Sequence, residues 1–212
     1  MPATLTQLLG EQEGSVLVAD ILAYDEAQIG REPAELGIYL TSFYLHVGTI
    51  AEHGGGRIVK FVGDGIVVAF FGPTHARRAL SVIAELDAAR DEWLAETARM
   101  KFPSLDYSVG VASGRVLAGD LGTDRVLFFD VIGAPATRAF RLCSLAAQRK
   151  VAHLVDGATL SHAEASPAAH WSAPPSESGN VPVPPATEVE GAEVLGETVR
   201  IYRLGRLDGE GR

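Results

Sequence analysis

Apolar positions recur along the chain with two periods, and the periods divide it into strands and helices. Ser15–Leu22 is a buried-type strand run broken by one charge, Asp20. At Pro33–His53 the spacing changes to helical. Leu36, Leu40, Phe43, Val47 and Ile50 share one face, Pro33 falls in the first turn and Gly54 follows the end. Two short runs then flank Gly63-Asp64-Gly65, Ile58–Val62 and Ile66–Phe71, which predicts a tight hairpin with a carboxylate at its tip. Period 2 puts Ile58, Lys60 and Val62 on one face, so Lys60 is a cation on an otherwise apolar strand face.

A second helix is expected from Thr74, as N-cap, to about Met100, with Ala79, Leu80, Ile83, Leu86, Trp93 and Leu94 among its apolar positions. Leu105–Ser113 and Arg115–Gly119 read as two strands around Gly114, and Val126–Ile132 as another carrying one charge, Asp130. Gly133-Ala134-Pro135 opens a third helix running to about Lys150, followed by a short strand at Val151–Val155. A final strand pair, Ala192–Leu195 and Thr198–Leu204, surrounds Gly196-Glu197. Hairpins outnumber β-α-β crossovers in this order. The expected fold is therefore α+β, a ferredoxin-like antiparallel sheet packed with helices, rather than a doubly wound parallel sheet.

Composition adds boundaries. At 212 residues, 47% hydrophobic and 21% charged, the chain suits one domain with a full core, at 15–204. Residues 1–14 form a polar lead-in with a helical turn around Leu5–Leu9, and 205–212 a polar tail. Between about 161 and 190 Pro, Ser, Ala and Glu dominate without apolar periodicity, which predicts a long loop or insertion. The net charge of −9 and the lack of clustered Lys and Arg argue against nucleic-acid binding. No apolar run approaches the ~18 residues of a membrane span, and no signal peptide is visible, so a cytoplasmic protein without membrane insertion is expected. A single cysteine, Cys143, excludes an intrachain disulfide. The histidines, His46, His53, His75, His153, His162 and His170, lack zinc-site spacing, and no P-loop or dinucleotide fingerprint occurs.

The chemistry-bearing signal is three charges in apolar strands: Asp20, Lys60 and Asp130. A lone buried charge costs several kcal/mol unless it is paired or ligates a metal, so the choice lies between a structural salt-bridge network and a site. On the third helix Thr137 and Arg141, four apart, share a face.

Ala-Asp20-Ile, Lys60-Phe-Val-Gly-Asp64-Gly, Tyr-Ser-Val-Gly110-Val-Ala-Ser-Gly114, Gly119-Asp-Leu-Gly122 and Asp130-Val-Ile-Gly133 through Arg141-Leu142 stand in one order. That order and spacing resemble the class III adenylate/guanylate cyclase catalytic domain, over roughly Ser15 to Val155 and weakly over Glu193–Leu204. The resemblance implies that Asp20 and Asp64, with the Ile21 carbonyl, hold two divalent ions, Mg²⁺ or Mn²⁺. It implies that Lys60 and Asp130 read the purine and that Arg141 stabilises charge on the phosphates. Adenine offers an acceptor to Lys60 and an amine to Asp130, whereas guanine would set an acceptor against the carboxylate. ATP is the expected substrate. The expected activity is that of an adenylate cyclase, a phosphorus–oxygen lyase making cyclic AMP and pyrophosphate. The family's site forms between two catalytic domains, which implies a homodimer.

Four departures accompany the resemblance, one of them Ala134-Pro135 in place of the usual acidic-polar pair. Thr137 stands where the pattern usually has an asparagine that orients the ribose. Ala23-Tyr24-Asp25 replaces Gly-Phe-Thr on the loop that cradles the terminal phosphates, and an acidic Asp25 beside a triphosphate is unfavourable unless it faces away or a metal intervenes. A lysine that the family often uses on the triphosphate has no counterpart; Arg200 and Arg203 are the nearby cations. These leave two further readings open: a degenerate, weak or inactive domain that binds nucleotide or a partner, and a cyclase for another nucleotide.

Overall fold

The computed structural model describes residues 9–102, 105–166, 185–194 and 196–204. Through them run β1 (Leu9–Ile21), α1 (Tyr24–Ala27), α2 (Pro33–His53), β2 (Arg57–Val62), β3 (Gly65–Phe71), α3 (His75–Arg99) and β4 (Tyr107–Gly122). There follow β5 (Leu127–Ile132), α4 (Ala134–Arg149), β6 (His153–Asp156), α5 (Gly157–Ala165), β7 (Ala186–Val194) and β8 (Glu197–Leu204). The strands form one sheet in the order β2-β3-β1-β4-β6-β8-β7, with β5 paired to β4 off that path. Pairing is antiparallel throughout except between β4 and β6. The α+β architecture expected from the hairpin count is the one adopted.

Both faces of β1 are buried because both are covered. Leu17 and Ala19 face a core built with Tyr39, Phe43 and Val47 of α2 and with Leu80, Ile83 and Trp93 of α3. Val16 and Val18 face a second core under α4, with Ala139, Leu142, Cys143 and Ala146. The helix reaches the sheet closely because β4 carries Gly110 there: a Cβ on it would stand 2.2 Å from the Ala139 carbonyl oxygen. Any side chain at 110 would push α4 off the sheet.

Local signals explain the boundaries of α2. Pro33 begins it, and Glu32 and Glu35 exchange backbone and side-chain bonds as a capping box. Thr74 precedes α3 as expected, but its side chain makes no cap bond.

Several expectations are corrected. The strand pair proposed around Gly114 is one continuous strand, β4, paired with β1 from Tyr107 to Gly119; Gly114 stands opposite Gly14 in an unbroken ladder. The polar residues Gly10–Glu13, read as lead-in, extend β1, because β4 supplies hydrogen bonds that need no apolar side chain. The start of the Pro-rich stretch is helical: α5 runs to Ala165, capped by the Asp156 carboxylate, which accepts from the Thr159 amide. β7 takes up its other end from Ala186. Residues 1–8, 167–184 and 205–212, which hold most of the expected lead-in, the rest of the insertion and the tail, lie outside the described residues.

The expected face of Lys60 is also wrong. A bulge between Ile58 and Lys60 interrupts the alternation of β2. Ile58 packs into the α2-side core while Val59 packs into the α4-side core. Lys60 leaves the apolar face of Ile58 and reaches Asp130 on β5. Among the described residues no helix is long and apolar enough to cross a membrane.

Candidate active site

Two groups of expected site residues are assembled separately. Asp20 lies at the end of β1, opposite Gly65 of β3, and Asp64 occupies the two-residue turn closed by Val62 pairing with Gly65. The strand ends therefore bring the two carboxylates together. Gly65 makes room for this: a Cβ there would stand 2.7 Å from Asp20 Oδ1. Partial burial, then the charges of Asp64 and Asp25, push the Asp20 carboxyl up to about 6. Burial and Asp25 also raise Asp64, against the pull of its own backbone amide. Among the described residues no cationic side chain pairs with Asp20 or Asp64. Crowded hard oxygen donors lacking a protein cation fit a divalent ion of the Mg²⁺ or Mn²⁺ type.

The turn is held from α2. Tyr44 donates its hydroxyl to the Gly63 carbonyl, and its ring lies 4.3 Å from that of Phe61. Sequence reasoning missed Tyr44, since a tyrosine on an amphipathic helix carries no mark of the hydroxyl's partner. Ile21, the last residue of β1, pairs with Tyr107 and is buried. Beyond it Ala23 takes the left-handed conformation, φ 57°, which turns the chain into α1. Tyr24 is buried and stacks on Tyr39, with ring centroids 6.3 Å apart. Asp25 is exposed and accepts from Gln28 at 3.2 Å, so it turns outward while remaining close enough to raise Asp20.

Lys60 and Asp130 form the second group. The ammonium stands 2.8 and 2.9 Å from the two carboxylate oxygens, and the side chains are 42% and 28% exposed. Asp130 also accepts from the Val131 amide at 2.7 Å. An ion pair this open to water holds together by no more than ~1 kcal/mol, so a ligand can part it cheaply. The three anomalous strand charges are thus not one network: Asp20 stands apart from the pair. On β5, which carries Asp130, Leu127, Phe128 and Ile132 are exposed, with Phe128 69% exposed, and so is Phe140 on α4.

Thr137 and Arg141 both lie on the exposed face of α4, one turn apart, flanking Phe140. Among the described residues neither has a polar partner. Arg200 and Arg203 are exposed on β8 and make no bond to Asp20 or Asp64 among the described residues.

The profile of the adenylate and guanylate cyclase catalytic domain matches residues 10–165. The chain belongs to this family. Its structure superposes on the guanylyl cyclase Cya2 with a TM-score of 0.73 at 20% identity, over 95% of this chain and 98% of the other. On the adenylyl cyclase CyaB from P. aeruginosa the TM-score is 0.73 at 23% identity, over 94% and 98%. Both likenesses concern the fold. An uncharacterized protein of Mycobacterium tuberculosis, Rv1319c, is 30% identical over 78% of this chain and 30% of its own length. The chain thus spans about a third of the curated relatives it matches. Domains of this family bind nucleotide, use divalent metal ions and work as dimers.

Proposed function

We propose that the chain is an adenylate cyclase, converting ATP to 3′,5′-cyclic AMP and pyrophosphate at sites shared between two copies of itself. The observation that carries the base assignment is the open Lys60–Asp130 pair, donor beside acceptor, at 2.8 Å and half-exposed. Once parted, Lys60 donates to a ring nitrogen of adenine and Asp130 accepts from its exocyclic amine.

In this reading Asp20, Asp64 and the Ile21 carbonyl of one copy hold the divalent ions, which would lower the pKa of the ribose 3′-hydroxyl and offset phosphate charge. The 3′-oxygen bonds to the α-phosphorus, the bond to the β-phosphate oxygen breaks, and the hydroxyl proton leaves to solvent. Ala23, Tyr24 and Asp25 border the triphosphate on the same copy. Arg141 of the other copy supplies positive charge to the phosphates in the transition state, and its Thr137 donates one hydrogen bond to the ribose. The solvent-facing Arg141 and the exposed Leu127, Phe128, Ile132 and Phe140 support a homodimer, because apolar side chains left in water on the elements that carry Asp130 and Arg141 are what a partner copy would cover. The test is cyclic AMP formation with Mg²⁺ or Mn²⁺ across protein concentration. Specific activity should rise steeply as dimers form and vanish in Asp64→Ala; undiminished activity in that variant would overturn the metal assignment.

One observation favours a second reading. Asp25 adds negative charge next to Asp20 and Asp64, where phosphates would lie. A weak or inactive domain that binds nucleotide and signals through a partner would tolerate this, as would a slow enzyme. Absence of product at every protein concentration would favour the inactive domain.

A further inference from the structure

A buried chain of hydrogen bonds crosses the sheet far from Asp20. Thr159 Oγ1 donates to Asp156 Oδ1 at 2.6 Å, which uses its only proton. Its contact with Ser113 Oγ, at 2.8 Å, must therefore be donated by Ser113. Ser113 then accepts from Ser15 Oγ at 2.6 Å, and Ser15 accepts from His75 Nδ1 at 2.7 Å. The direction of every bond follows from the first. The chain fixes the His75 tautomer with its proton on Nδ1 and the lone pair on Nε2.

His75 is only 4% exposed, and its Nε2 has no hydrogen-bond partner among the described residues. It borders a cleft of about 480 Å³ that also takes in Glu13 and His162. The two imidazole centroids are 5.0 Å apart, and His162 Nε2 is 3.7 Å from Glu13 Oε2. Two imidazoles sharing a tetrahedral ion, with metal–nitrogen bonds of about 2.1 Å, have centroids about 5 Å apart and donor atoms about 3.4 Å apart. The observed ring separation matches that geometry, and Glu13 Oε2 lies on the Nε2 side of His162. We propose that His75, His162 and Glu13 form a binding site for one divalent transition-metal ion of the zinc class, separate from the nucleotide site.

The surroundings support this. A ligating histidine characteristically gives its second ring N–H to a carboxylate or another acceptor, which is what the Ser15–Ser113–Thr159–Asp156 chain provides. Burial, with His162 and Arg78 nearby, pushes His75 down to about 4, so a metal at neutral pH has no proton to displace there. Arg78 is committed elsewhere, to the Gly55 and Phe71 carbonyls. Among the described residues no three such side chains already converge on a point. Convergence on an ion would require a side-chain rotation, for which Glu13, 54% exposed, has room on its solvent side. Glu13 precedes Asp20 by seven residues on β1, about 23 Å at the ~3.3 Å rise of a strand.

Chelator-stripped protein carrying Asp20→Asn and Asp64→Ala, which removes the two carboxylates assigned to the catalytic metal ions, should bind one equivalent of Zn²⁺ by calorimetry and give the visible bands of tetrahedral Co²⁺. In that background His162→Ala and Glu13→Gln, both at the cleft surface, should each weaken Zn²⁺ binding by about 10-fold or more, and Ser15→Ala, which touches no metal, by about 10-fold through the His75 tautomer. Should Ser15→Ala fail to fold, the two surface variants decide. The proposal is overturned if the double variant binds no Zn²⁺ at micromolar concentration, or binds it equally after His162→Ala. Neither outcome depends on whether the chain cyclises ATP.

Discussion

Lys60 Nζ stands 2.9 and 2.8 Å from the two carboxylate oxygens of Asp130, seventy residues further on in sequence. A structural salt bridge and a purine reader look alike in that contact, but they respond differently to reversal. Lys60→Asp combined with Asp130→Lys restores an ion pair while presenting each charge to the wrong edge of adenine. Stability should return to within about 1 kcal/mol of the original, as expected for a half-exposed pair. KM for ATP should remain raised at least ~10-fold, the worth of a lost charge-assisted hydrogen bond. Denaturant unfolding and steady-state kinetics on the same samples check both halves.

Asp20 gives a pH prediction. Its folded value of about 6 lies above the 3.8 of a free carboxyl. The unfolded chain therefore holds fewer protons between those values, and the ionised group costs the metal-free fold stability above pH 6; that cost disappears as pH falls through 6 towards 4. Asp20→Asn should stabilise the metal-free protein at pH 8 by about 1 kcal/mol, after discounting for the solvent that reaches the site, and leave pH 4 nearly unchanged. It should also abolish activity. In the unmutated protein the metal concentration for half-activation should rise as pH falls below 6, because protons compete for the carboxylate. Thermal denaturation at the two pH values and a metal titration test this.

If the site is shared between copies, its two halves can be repaired separately. Asp64→Ala and Arg141→Ala should each be inactive. Mixed in equal amounts they should recover about a quarter of the original rate, since half the dimers are mixed and each mixed dimer has one complete site. No recovery after confirmed subunit exchange would place both residues in one copy's site.

Thr137 is exposed on α4 one turn before Arg141. Thr137→Asn should raise kcat, by up to the ~100-fold that one transition-state donor can supply. An unchanged or lower kcat would show a site adapted to threonine.

Much of this arrangement was legible in the sequence because its signals are local. Pro33 and Gly54 bound α2, and Gly63-Asp64 closes a hairpin whose strands are β-branched. Asp20 and Asp130 stood out as single charges in apolar runs. What escaped depends on partners distant in sequence. The bulge that carries Lys60 away from the Ile58 face is set by pairing with β3, which no alternation along β2 can report. Gly114 looked like a turn but stands opposite Gly14 within the longest ladder of the sheet. α5 lies at the edge of a Pro-rich stretch, and the Asp156 cap and the burial of Ala163 that support it are tertiary. His75 and His162 are far apart in sequence and share no motif, yet α3 and α5 set their rings 5.0 Å apart.

The base assignment is tested most directly by offering ATP, GTP, CTP and UTP in parallel to the unmodified protein, with Mg²⁺ and then Mn²⁺, and quantifying each cyclic product. Cyclic AMP in clear excess over the other three is the predicted result. Cyclic GMP as the main product would contradict it, since the Lys60–Asp130 pair would then not be reading adenine.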